Sequence, residues 1–391
     1  MADFRYLIVG GGMTADAAVR GIRETDNGNI GIICDESHPP YNRPPLSKAL
    51  WKGEPLEGIW RNTPQKNLEM MLSRKVVRVD PVGKRVFDST GEAYTFGKLL
   101  LATGGRPRRL KFDPGGIIYY RTLDDYRRLR ELSVPGSSLV VIGGGFIGSE
   151  IAAALAMNRL SVTMIIPEET IGARVYTPSQ GRFLNAYYRE RGVDLLTAQS
   201  VTGIVMSGKR YAVRTSAGKQ VEADGVVAGI GIEPNTELAV SAGLPVDNGI
   251  HVDEFLRTAQ EDIYAAGDVA NFPGSTSAAR LRVEHEDNAN TMGAIAGRNM
   301  AGQKIPYVHL PFFYSDLFDI GYEAVGELDA RLETVEDWKV EFREGVVYYM
   351  KEGLVRGVLL WNTWGKVDAA RELIAGKAPH TRQDLVGLIH S

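Results

Sequence analysis

The sequence predicts an α/β fold with two similar strand–helix–strand units, the second inserted in the first, and a C-terminal α+β domain with an antiparallel sheet. Residues 6–36 and 138–169 each run from an apolar strand through a glycine turn and a small-residue helix to a second apolar strand. From residue 307 onward, strand-like segments precede one terminal helix pattern. These observations carry the fold prediction.

The first unit places Gly10, Gly12 and Ala15 at its turn, and Asp35 follows Gly10 by 25 positions. In a dinucleotide-binding unit the first glycine makes the tight turn and the second lets the backbone approach a pyrophosphate at the helix N-terminus. The third position must be small for helix–strand packing, and the acid accepts from ribose hydroxyls. This unit is therefore a predicted dinucleotide site.

The second unit repeats the arrangement with Gly143, Gly145 and Gly148, and Glu168 follows Gly143 by the same interval. A single fingerprint of this kind is weak evidence, because any tight strand-to-helix turn can use glycine. Two copies, each in a full strand–helix–strand setting with its acid, strongly predict two Rossmann-like dinucleotide sites.

Two more strands end in glycine turns, at Ala102-Thr103-Gly104 and at Gly267-Asp268, and the second fingerprint lies between them. The simplest topology is one nucleotide domain interrupted by another. The predicted domains are 1–112 with 246–306 for the first dinucleotide, 113–245 for the second, and 307–391 at the C-terminus.

Composition excludes several classes of protein. The formal net charge of −3 gives no footprint for nucleic acid, and no apolar stretch is long enough to predict a membrane span. The N-terminus enters a strand almost at once, which leads us to expect no signal peptide and a cytoplasmic location. Cys34 is the one cysteine, so no disulfide or CxxC redox pair forms within the chain, and a buried structural thiol is favoured.

The segment "PPYNRPPLSKAL" (39–50) raises a separate question. It predicts a helix with Lys48 one turn from its start, where a cation opposes the helix dipole. We therefore expect an anion or an electron-rich ligand opposite Lys48.

The motifs GxGxxA, ATG, GxGxxG and GD, in this order, resemble the two-dinucleotide flavoproteins. "YNRPPLSK" looks like the lysine-type branch of ferredoxin reductases and apoptosis-inducing factor. The segments "GIEPNTEL", "RVEHEDNA" and "SDLFDIGYEAVGE" extend the resemblance over nearly the whole chain. The mitochondrial extension and the long C-terminal insertion of the animal proteins are absent, so their apoptotic role is not carried over.

The resemblance implies FAD in the first site. It assigns Gly10, Gly12 and Ala15 to the pyrophosphate turn, Asp35 or Glu36 to the adenosine ribose, Arg43 to a pyrophosphate or ribityl contact, and Asp268 to a ribityl hydroxyl. The other residues that it implies for FAD are Lys48, Val76, Ala102, Thr103, Gly104, Arg106, Glu284 and His285.

The resemblance implies NADH in the second site. A carboxylate at Glu168 accepts from a free 2′-hydroxyl and repels a 2′-phosphate, so NADH is expected over NADPH. Arg174 is the alternative signal, since it could meet a 2′-phosphate, although a solvated arginine is the favoured interpretation. The implied NAD-binding residues are Gly143, Gly145, Phe146, Ile147, Gly148, Glu150, Glu168 and Gly231.

The implied catalytic residues are Lys48, Glu150, Phe146, His285 and Tyr314. In the resembled family a lysine and a glutamate at the first two positions pair beside the flavin, so Glu150 is expected to offset the charge of Lys48. Phe146 would lie over the isoalloxazine and move aside for nicotinamide. Tyr314 stands where relatives usually carry a tryptophan over the flavin edge.

The cluster of His and acidic residues in "VEHEDNA" (283–289) does not predict a metal site, because four adjacent helical residues point in different directions. Glu284 and His285 are expected near the flavin and nicotinamide, with Glu286 and Asp287 in solvent. We therefore expect no metal.

The implied activity is hydride transfer from NADH to FAD, with electrons passing to an iron–sulfur protein, a quinone or oxygen. The alternative is a redox-sensing interaction protein whose homodimerisation responds to NADH. The cysteine count disfavours a disulfide reductase, and the second Rossmann unit disfavours a flavin monooxygenase.

Overall fold

Strands and helices alternate through most of the chain in the computed structural model, which describes residues 2–274, 279–376 and 378–390. The strands are β1 Ala2–Val9, β2 Ile30–Ile33, β3 Leu68–Met71, β4 Val76–Asp80, β5 Arg85–Asp88, β6 Ala93–Leu101, β7 Gly105–Pro107, β8 Ile118–Tyr119, β9 Ser138–Ile142, β10 Ser161–Ile165, β11 Val193–Leu196, β12 Val201–Ser207, β13 Arg210–Thr215, β14 Gln220–Ala223, β15 Gly225–Ala228, β16 Ile232–Pro234, β17 Val246–Asp247, β18 Gly249–His251, β19 Ile263–Ala265, β20 Ala270–Pro273, β21 Arg280–Leu281, β22 Phe312–Leu317, β23 Ile320–Gly326, β24 Glu333–Val340, β25 Glu344–Lys351 and β26 Leu354–Trp361. The helices are α1 Met13–Arg23, α2 Leu123–Leu132, α3 Phe146–Met157, α4 Pro178–Glu190, α5 Glu237–Ser241, α6 Glu286–Met300, α7 Val367–Ala375 and α8 Arg382–Leu385. Short 3₁₀ turns lie at Pro44–Ser47, Ala49–Lys52, Leu56–Ile59 and Gly267–Val269.

The chain divides into two compact units, which we call unit 1 and unit 2. Unit 1 comprises Met1–Arg43, Leu56–Arg106 and Glu233–Pro311. Unit 2 comprises Pro44–Pro55, Pro107–Ile232 and Phe312–Ser391. This division joins the second nucleotide-binding segment to the C-terminal segment, so the three-domain division stays a prediction.

Unit 1 is built on a seven-stranded sheet in the order β3-β2-β1-β6-β5-β4, with β19 also paired to β6. The strands around β1 are parallel, whereas β4 and β5 return antiparallel. Helix α1 follows β1 at the glycine turn, and its buried side packs with α6 over the apolar strands. The carboxyl ends of β1 and β6 therefore lie side by side, at the edge where such sheets bind ligands.

Unit 2 contains a five-stranded parallel sheet in the order β11-β10-β9-β15-β8. A five-stranded antiparallel sheet in the order β22-β23-β26-β25-β24 forms from residues 312–361, followed by α7 and α8. The α/β fold with two parallel-stranded nucleotide-type sheets and a C-terminal antiparallel sheet is therefore confirmed.

The helix predicted around Lys48 is wrong. Two 3₁₀ turns, Pro44–Ser47 and Ala49–Lys52, replace it, and Lys48 lies between them with φ −129° and ψ −95°. Prolines 44 and 45 have no N–H to donate, and each restricts the residue before it, so the segment does not propagate an α-helix. The dipole argument for a partner of Lys48 therefore does not apply, although a partner is present.

Candidate functional site

The glycine turn of unit 1 follows from close packing of backbone. Gly10 has φ +117°, and a Cβ there would lie 2.2 Å from the carbonyl oxygen of Ala102. Gly12 is the N-cap of α1, and a Cβ added to it would meet no atom within 4 Å. Ala15 is fully buried in the first turn of the helix. The turn thus leaves open space at a helix N-terminus, whose amides suit a phosphate.

The two acids after β2 differ. Asp35 is exposed, whereas Glu36 is half-buried and accepts a hydrogen bond from the Tyr41 hydroxyl at 2.6 Å. Arg43 forms an ion pair with Glu36 and donates to the Tyr41 hydroxyl at 3.1 Å. Burial opposes the charge of Arg43, but its pKa is raised because Tyr41 and Glu36 stabilise the cation. Glu36 is therefore already engaged, and Asp35 is the more accessible acceptor for a ribose.

Three residues predicted for FAD, Ala102, Thr103 and Gly104, directly follow the carboxyl end of β6. The Thr103 hydroxyl donates to the Asn235 carbonyl at 2.8 Å, and the Asn235 amide donates back to the Thr103 carbonyl at the same distance. Gly104 has φ +62°, and its carbonyl accepts from the Asn235 N–H. Asn235 lies in the "GIEPN" motif but was missed as a residue that shapes this turn.

The positions of Arg106, Val76 and Asp268 do not by themselves indicate cofactor binding. Arg106 is exposed and forms ion pairs with Glu233 and Glu237. Val76 is buried at the start of β4. Asp268 lies in the 3₁₀ turn Gly267–Val269, and its carbonyl accepts from Arg282 at 3.1 Å. Their roles toward a cofactor stay predictions.

Helix α6 begins at Glu286, with His285 at its N-cap. Burial lowers the pKa of His285 to about 4, against the opposing charges of Asp268 and Asp287, so the imidazole is neutral at pH 7. Glu284 is exposed and pairs with Arg282 at 2.6 Å.

The expectation that Glu286 and Asp287 are solvated is wrong. Both are half-buried, and the Asp287 carboxylate lies 2.5 Å from His309 Nε2. The pairing was not foreseen because His309 lies outside the helix, 22 residues along the chain. Among the described residues, no three His, Cys, Asp or Glu side chains are placed to hold a metal ion.

The glycine turn of unit 2 likewise follows from close packing of backbone, and here the third position is crowded as well. Gly143 has φ +108°, and a Cβ there would lie 2.4 Å from the Gly229 carbonyl oxygen. A Cβ on Gly148 would lie 2.0 Å from the Gly143 carbonyl oxygen, whereas one on Gly145 would meet nothing within 4 Å. Ile147 is 38% exposed beside this turn. The arrangement again leaves a helix N-terminus open to a phosphate.

Glu168 follows β10 after two intervening residues and is about one-third exposed. Arg174 lies 3.8 Å from its carboxylate, but the arginine side chain is 91% exposed. The pair is therefore a weak surface contact that leaves Glu168 accessible. Gly231, with φ +91°, lies between β15 and β16 and accepts from the Arg108 N–H at 2.9 Å.

Lys48 and Glu150 form an ion pair in unit 2, with Lys48 Nζ 2.8 Å from Glu150 Oε1. Glu150 is 3% exposed, in the first half of α3. Its carboxylate also accepts from the Ser47 hydroxyl and the Ser315 hydroxyl, each at 2.5 Å. Neither serine was predicted, although Ser47 lies in "YNRPPLSK" and Ser315 is the first residue of "SDLFDIGYEAVGE".

Aromatic rings lie beside this pair. Lys48 Nζ is 5.2 Å from the centroid of the Tyr314 ring, within the range of a cation–π contact. Phe146, at the start of α3, is half-buried with its ring centroid 5.0 Å from that of Phe313. The predicted movement of Phe146 is not tested by these positions.

The negative charge of Glu150 acts on four buried tyrosines, Tyr120, Tyr176, Tyr188 and Tyr322. Burial raises the pKa of each phenol, and the negative charge of Glu150 adds to the effect. These hydroxyls therefore stay protonated, and the ion pair lies in a water-poor setting.

Two further expectations concerned an inert thiol at Cys34 and the lack of a membrane span. Burial raises the pKa of the Cys34 thiol to about 11, as expected for an inert thiol. No helix in the described part of the chain is long and apolar enough to cross a membrane.

The model of the pyridine nucleotide-disulphide oxidoreductase family matches residues 4–293, and that of the C-terminal part of mitochondrion-associated apoptosis-inducing factor matches 296–341 and 336–376. The chain is 33% identical to apoptosis-inducing factor 1, mitochondrial, of Dictyostelium discoideum, over 100% of this chain and 81% of that protein. It is 32% identical to putidaredoxin reductase CamA of Pseudomonas putida, over 97% and 93% of the two chains. The crystal structure of the covalent putidaredoxin reductase–putidaredoxin complex superimposes with a TM-score of 0.90 at 32% identity, covering 97% of this chain and 94% of that one.

Proposed function

The chain belongs to the pyridine nucleotide-disulphide oxidoreductase family, and from that premise we propose that it reduces an iron–sulfur protein of the ferredoxin type with electrons from NADH. The predicted family, oxidoreductase activity and cofactors FAD and NADH are confirmed by these matches. The observation that carries the path from NADH to FAD is the pair of glycine turns, each opening a helix N-terminus beside parallel strands of its own sheet. The similarity to the putidaredoxin reductase–putidaredoxin complex supports the iron–sulfur acceptor. Hydride transfer between two dinucleotides needs two such sites.

The residues of unit 1 fit FAD. The open N-terminus of α1 beyond Gly12 suits a pyrophosphate, and Asp35 is exposed and available to ribose hydroxyls. Arg43, held by Glu36, presents a guanidinium of the kind that binds phosphate. FAD, when bound, accepts a hydride and releases electrons singly.

The residues of unit 2 fit NADH. The helix α3 N-terminus at Gly145 would take the pyrophosphate, and Glu168 would accept from the 2′-hydroxyl of the ribose. The same carboxylate would repel a 2′-phosphate, and the Arg174 side chain is 91% exposed, which favours a solvated arginine. NADH is therefore the preferred reductant over NADPH.

Lys48 supplies positive charge that favours electron-rich, reduced flavin, and Glu150 offsets the cost of holding this lysine 11% exposed. Hydride transfer needs no general acid or base; it needs position and electrostatics. Phe146, Tyr314 and His285 keep their predicted roles as flavin- or nicotinamide-side groups, with His285 neutral.

The test measures how fast NADH reduces the Lys48→Ala holoenzyme under anaerobic conditions. The reduction is monitored as the stopped-flow absorbance of the main flavin band. We expect FAD to be retained, reduction to slow roughly tenfold and any long-wavelength charge-transfer band to weaken, because one positive charge is removed from a water-poor site. Lys52→Ala is the matched control, since Lys52 forms a separate ion pair with Asp316 at 3.0 Å. Equal rates for wild type and Lys48→Ala would refute the role of Lys48.

The acceptor is tested by mixing the NADH-reduced enzyme with a ferredoxin-type protein, a quinone or oxygen. The proposal expects the iron–sulfur protein to reoxidise the enzyme fastest. If quinone or oxygen reoxidises it faster, the iron–sulfur assignment is wrong. We also propose a cytoplasmic location, on the grounds of the use of NADH and the inert, buried Cys34.

The second candidate is an NADH-responsive interaction protein, which the match to apoptosis-inducing factor 1 over the whole chain favours. In that case NADH would change homodimerisation, and turnover would be incidental. Anaerobic gel filtration with and without NADH separates the candidates. A dimer that appears with NADH, together with air-stable reduced flavin, would favour this function over the reductase.

A further inference from the structure

We propose that Ser47 and Ser315 are positioning residues for the Lys48–Glu150 ion pair. Their hydroxyls fix the Glu150 carboxylate, which in turn holds the Lys48 amine in place. The inference rests on the proposed function, because that function gives the pair its role in hydride transfer.

The carboxylate of Glu150 is held at both oxygens. Oε1 accepts from Lys48 Nζ at 2.8 Å and from Ser315 Oγ at 2.5 Å, while Oε2 accepts from Ser47 Oγ at 2.5 Å. A carboxylate offers about four lone-pair positions, so three donors nearly saturate it. With a donor on each oxygen, the carboxylate plane cannot turn without losing a charge-assisted hydrogen bond.

The serines are themselves held rigidly. Ser47 ends the 3₁₀ turn Pro44–Ser47 and directly precedes Lys48, and it is 5% exposed. Ser315 is 1% exposed in β22, directly opposite Tyr322 of β23. One hydroxyl therefore comes from the segment that carries the lysine and the other from a sheet strand, so together they fix the carboxylate relative to both.

The hydroxyls of Ser47 and Ser315 are important because the Glu150 carboxylate is buried. Among the described residues, Lys48 is the only cation in a salt bridge with Glu150. The neighbouring phenol of Tyr322 accepts a hydrogen bond from Tyr176 at 2.8 Å, so these two neighbours are hydrogen-bonded to each other and neutral. A buried carboxylate with one counter-ion is stable only if hydrogen bonds satisfy its remaining lone pairs.

The experiment uses the FAD-loaded Ser47→Ala and Ser315→Ala variants, with Ser149→Ala as the matched control. Ser149 is 2% exposed and precedes Glu150, but its hydroxyl donates to the Gly145 carbonyl at 2.7 Å instead of to the carboxylate. The readout is competitive acetylation of the Lys48 amine, measured by mass spectrometry against Lys52 in the same sample. Ser315→Thr restores a hydroxyl and tests for rescue.

We expect acetylation of Lys48 to rise roughly tenfold in each alanine variant, because a hydrogen bond to a charged group is lost and the amine is held less firmly. The long-wavelength charge-transfer band should weaken in parallel, and Ser149→Ala and Ser315→Thr should resemble wild type. If Ser315→Ala yields no folded holoenzyme, Ser47→Ala decides alone.

Unchanged acetylation of Lys48 in the alanine variants would overturn the inference, even if Lys48→Ala slows flavin reduction as the proposed function requires. Raised acetylation together with normal flavin reduction in Lys48→Ala would support the positioning and refute the role in hydride transfer. An equal rise in Ser149→Ala would also overturn it, because loosened packing would then explain the effect.

Discussion

Helices α1 and α3 both begin at a glycine turn, and both bury an acid close to it, yet the partners of these acids differ. Asp16 in α1 is fully buried and accepts from Arg61 Nε at 2.7 Å and Arg20 Nε at 3.0 Å. Glu150 in α3 is held by a lysine and two serines. We therefore infer that the same local fold presents a carboxylate that serves structure in α1 and, under the proposed function, chemistry in α3.

The arginines beside Asp16 make further hydrogen bonds within unit 1. Arg20 also donates to the Arg61 carbonyl at 2.6 Å, and Arg61 donates to the Asn42 side chain at 2.8 Å. The cluster thus joins α1 to the segment that leads to Arg43. In contrast, the Lys48 amine faces the ring of Tyr314, and its carboxylate partner within the described ranges is Glu150 alone. We expect loss of Asp16 to reduce stability and loss of Lys48 to reduce the rate of flavin reduction.

The largest effect is expected for Asp16→Ala. It leaves two guanidinium groups, one of them 13% exposed, facing a site without a carboxylate. Breaking a buried pair in this way should lower the free energy of unfolding by about 3 kcal/mol, measured by urea denaturation of the holoenzyme.

Asp16→Asn keeps the side-chain volume and one acceptor oxygen, so it should lower the free energy of unfolding by less than Asp16→Ala does. Reduction of retained FAD by NADH should stay near the wild-type rate in both variants. A variant with normal stability and slow reduction would place Asp16 with Glu150 and erase the contrast.

His285 should make the stability of unit 1 depend on pH between about 4 and 6.5, whereas the phenols around Glu150 in unit 2 should not. Its pKa of about 4 in the folded protein lies below the ordinary value near 6.5, so the unfolded chain takes up the proton first as pH falls. The stability that neutral His285 contributes is full above about pH 6.5 and is lost as pH falls toward about 4, at up to about 1.4 kcal/mol per pH unit. The phenols around Glu150 do not titrate in this window, since their pKa values are raised.

The measurement is the free energy of unfolding of wild type and His285→Gln at several pH values across this window. The difference between the two proteins should change with pH below about 6.5 and stay constant above it. A constant difference throughout would show that His285 is not protected from protonation.

The sequence predicted the fold and the glycine turns because both depend on local patterns. Gly10 and Gly143 adopt positive φ and lie against backbone carbonyls, which is a requirement that one residue type meets. The serines at Glu150 were missed because they lie 103 and 165 positions from it, and no local pattern marks a buried hydroxyl as a donor to a distant acid. The pairing of Lys48 with Glu150 came from resemblance alone, and the helix expected at Lys48 failed because the prolines stop it.

Exchanging the third small residue should affect the two glycine turns unequally. Gly148→Ala would place a Cβ 2.0 Å from the Gly143 carbonyl oxygen, so the turn of unit 2 must open, at a cost of about 1–3 kcal/mol in stability and with weaker NADH binding. Ala15→Gly should lower the free energy of unfolding by only about 0.5–1 kcal/mol. The turn of unit 1 already holds a methyl group at this position, so the substitution mainly lowers the helix propensity of α1. Thermal unfolding and NADH titration of both variants measure this difference.

The two variants together show whether backbone crowding requires glycine at the third position of the turn. If Gly148→Ala binds NADH normally and is as stable as Ala15→Gly, the close approach of Gly148 to Gly143 relaxes at little cost, and the two turns are equivalent. If Gly148→Ala weakens NADH binding while Ala15→Gly leaves FAD in place, unit 2 needs glycine where unit 1 does not. The second result is expected, because the obstructing atom is a backbone oxygen, which cannot move aside as a flexible side chain can.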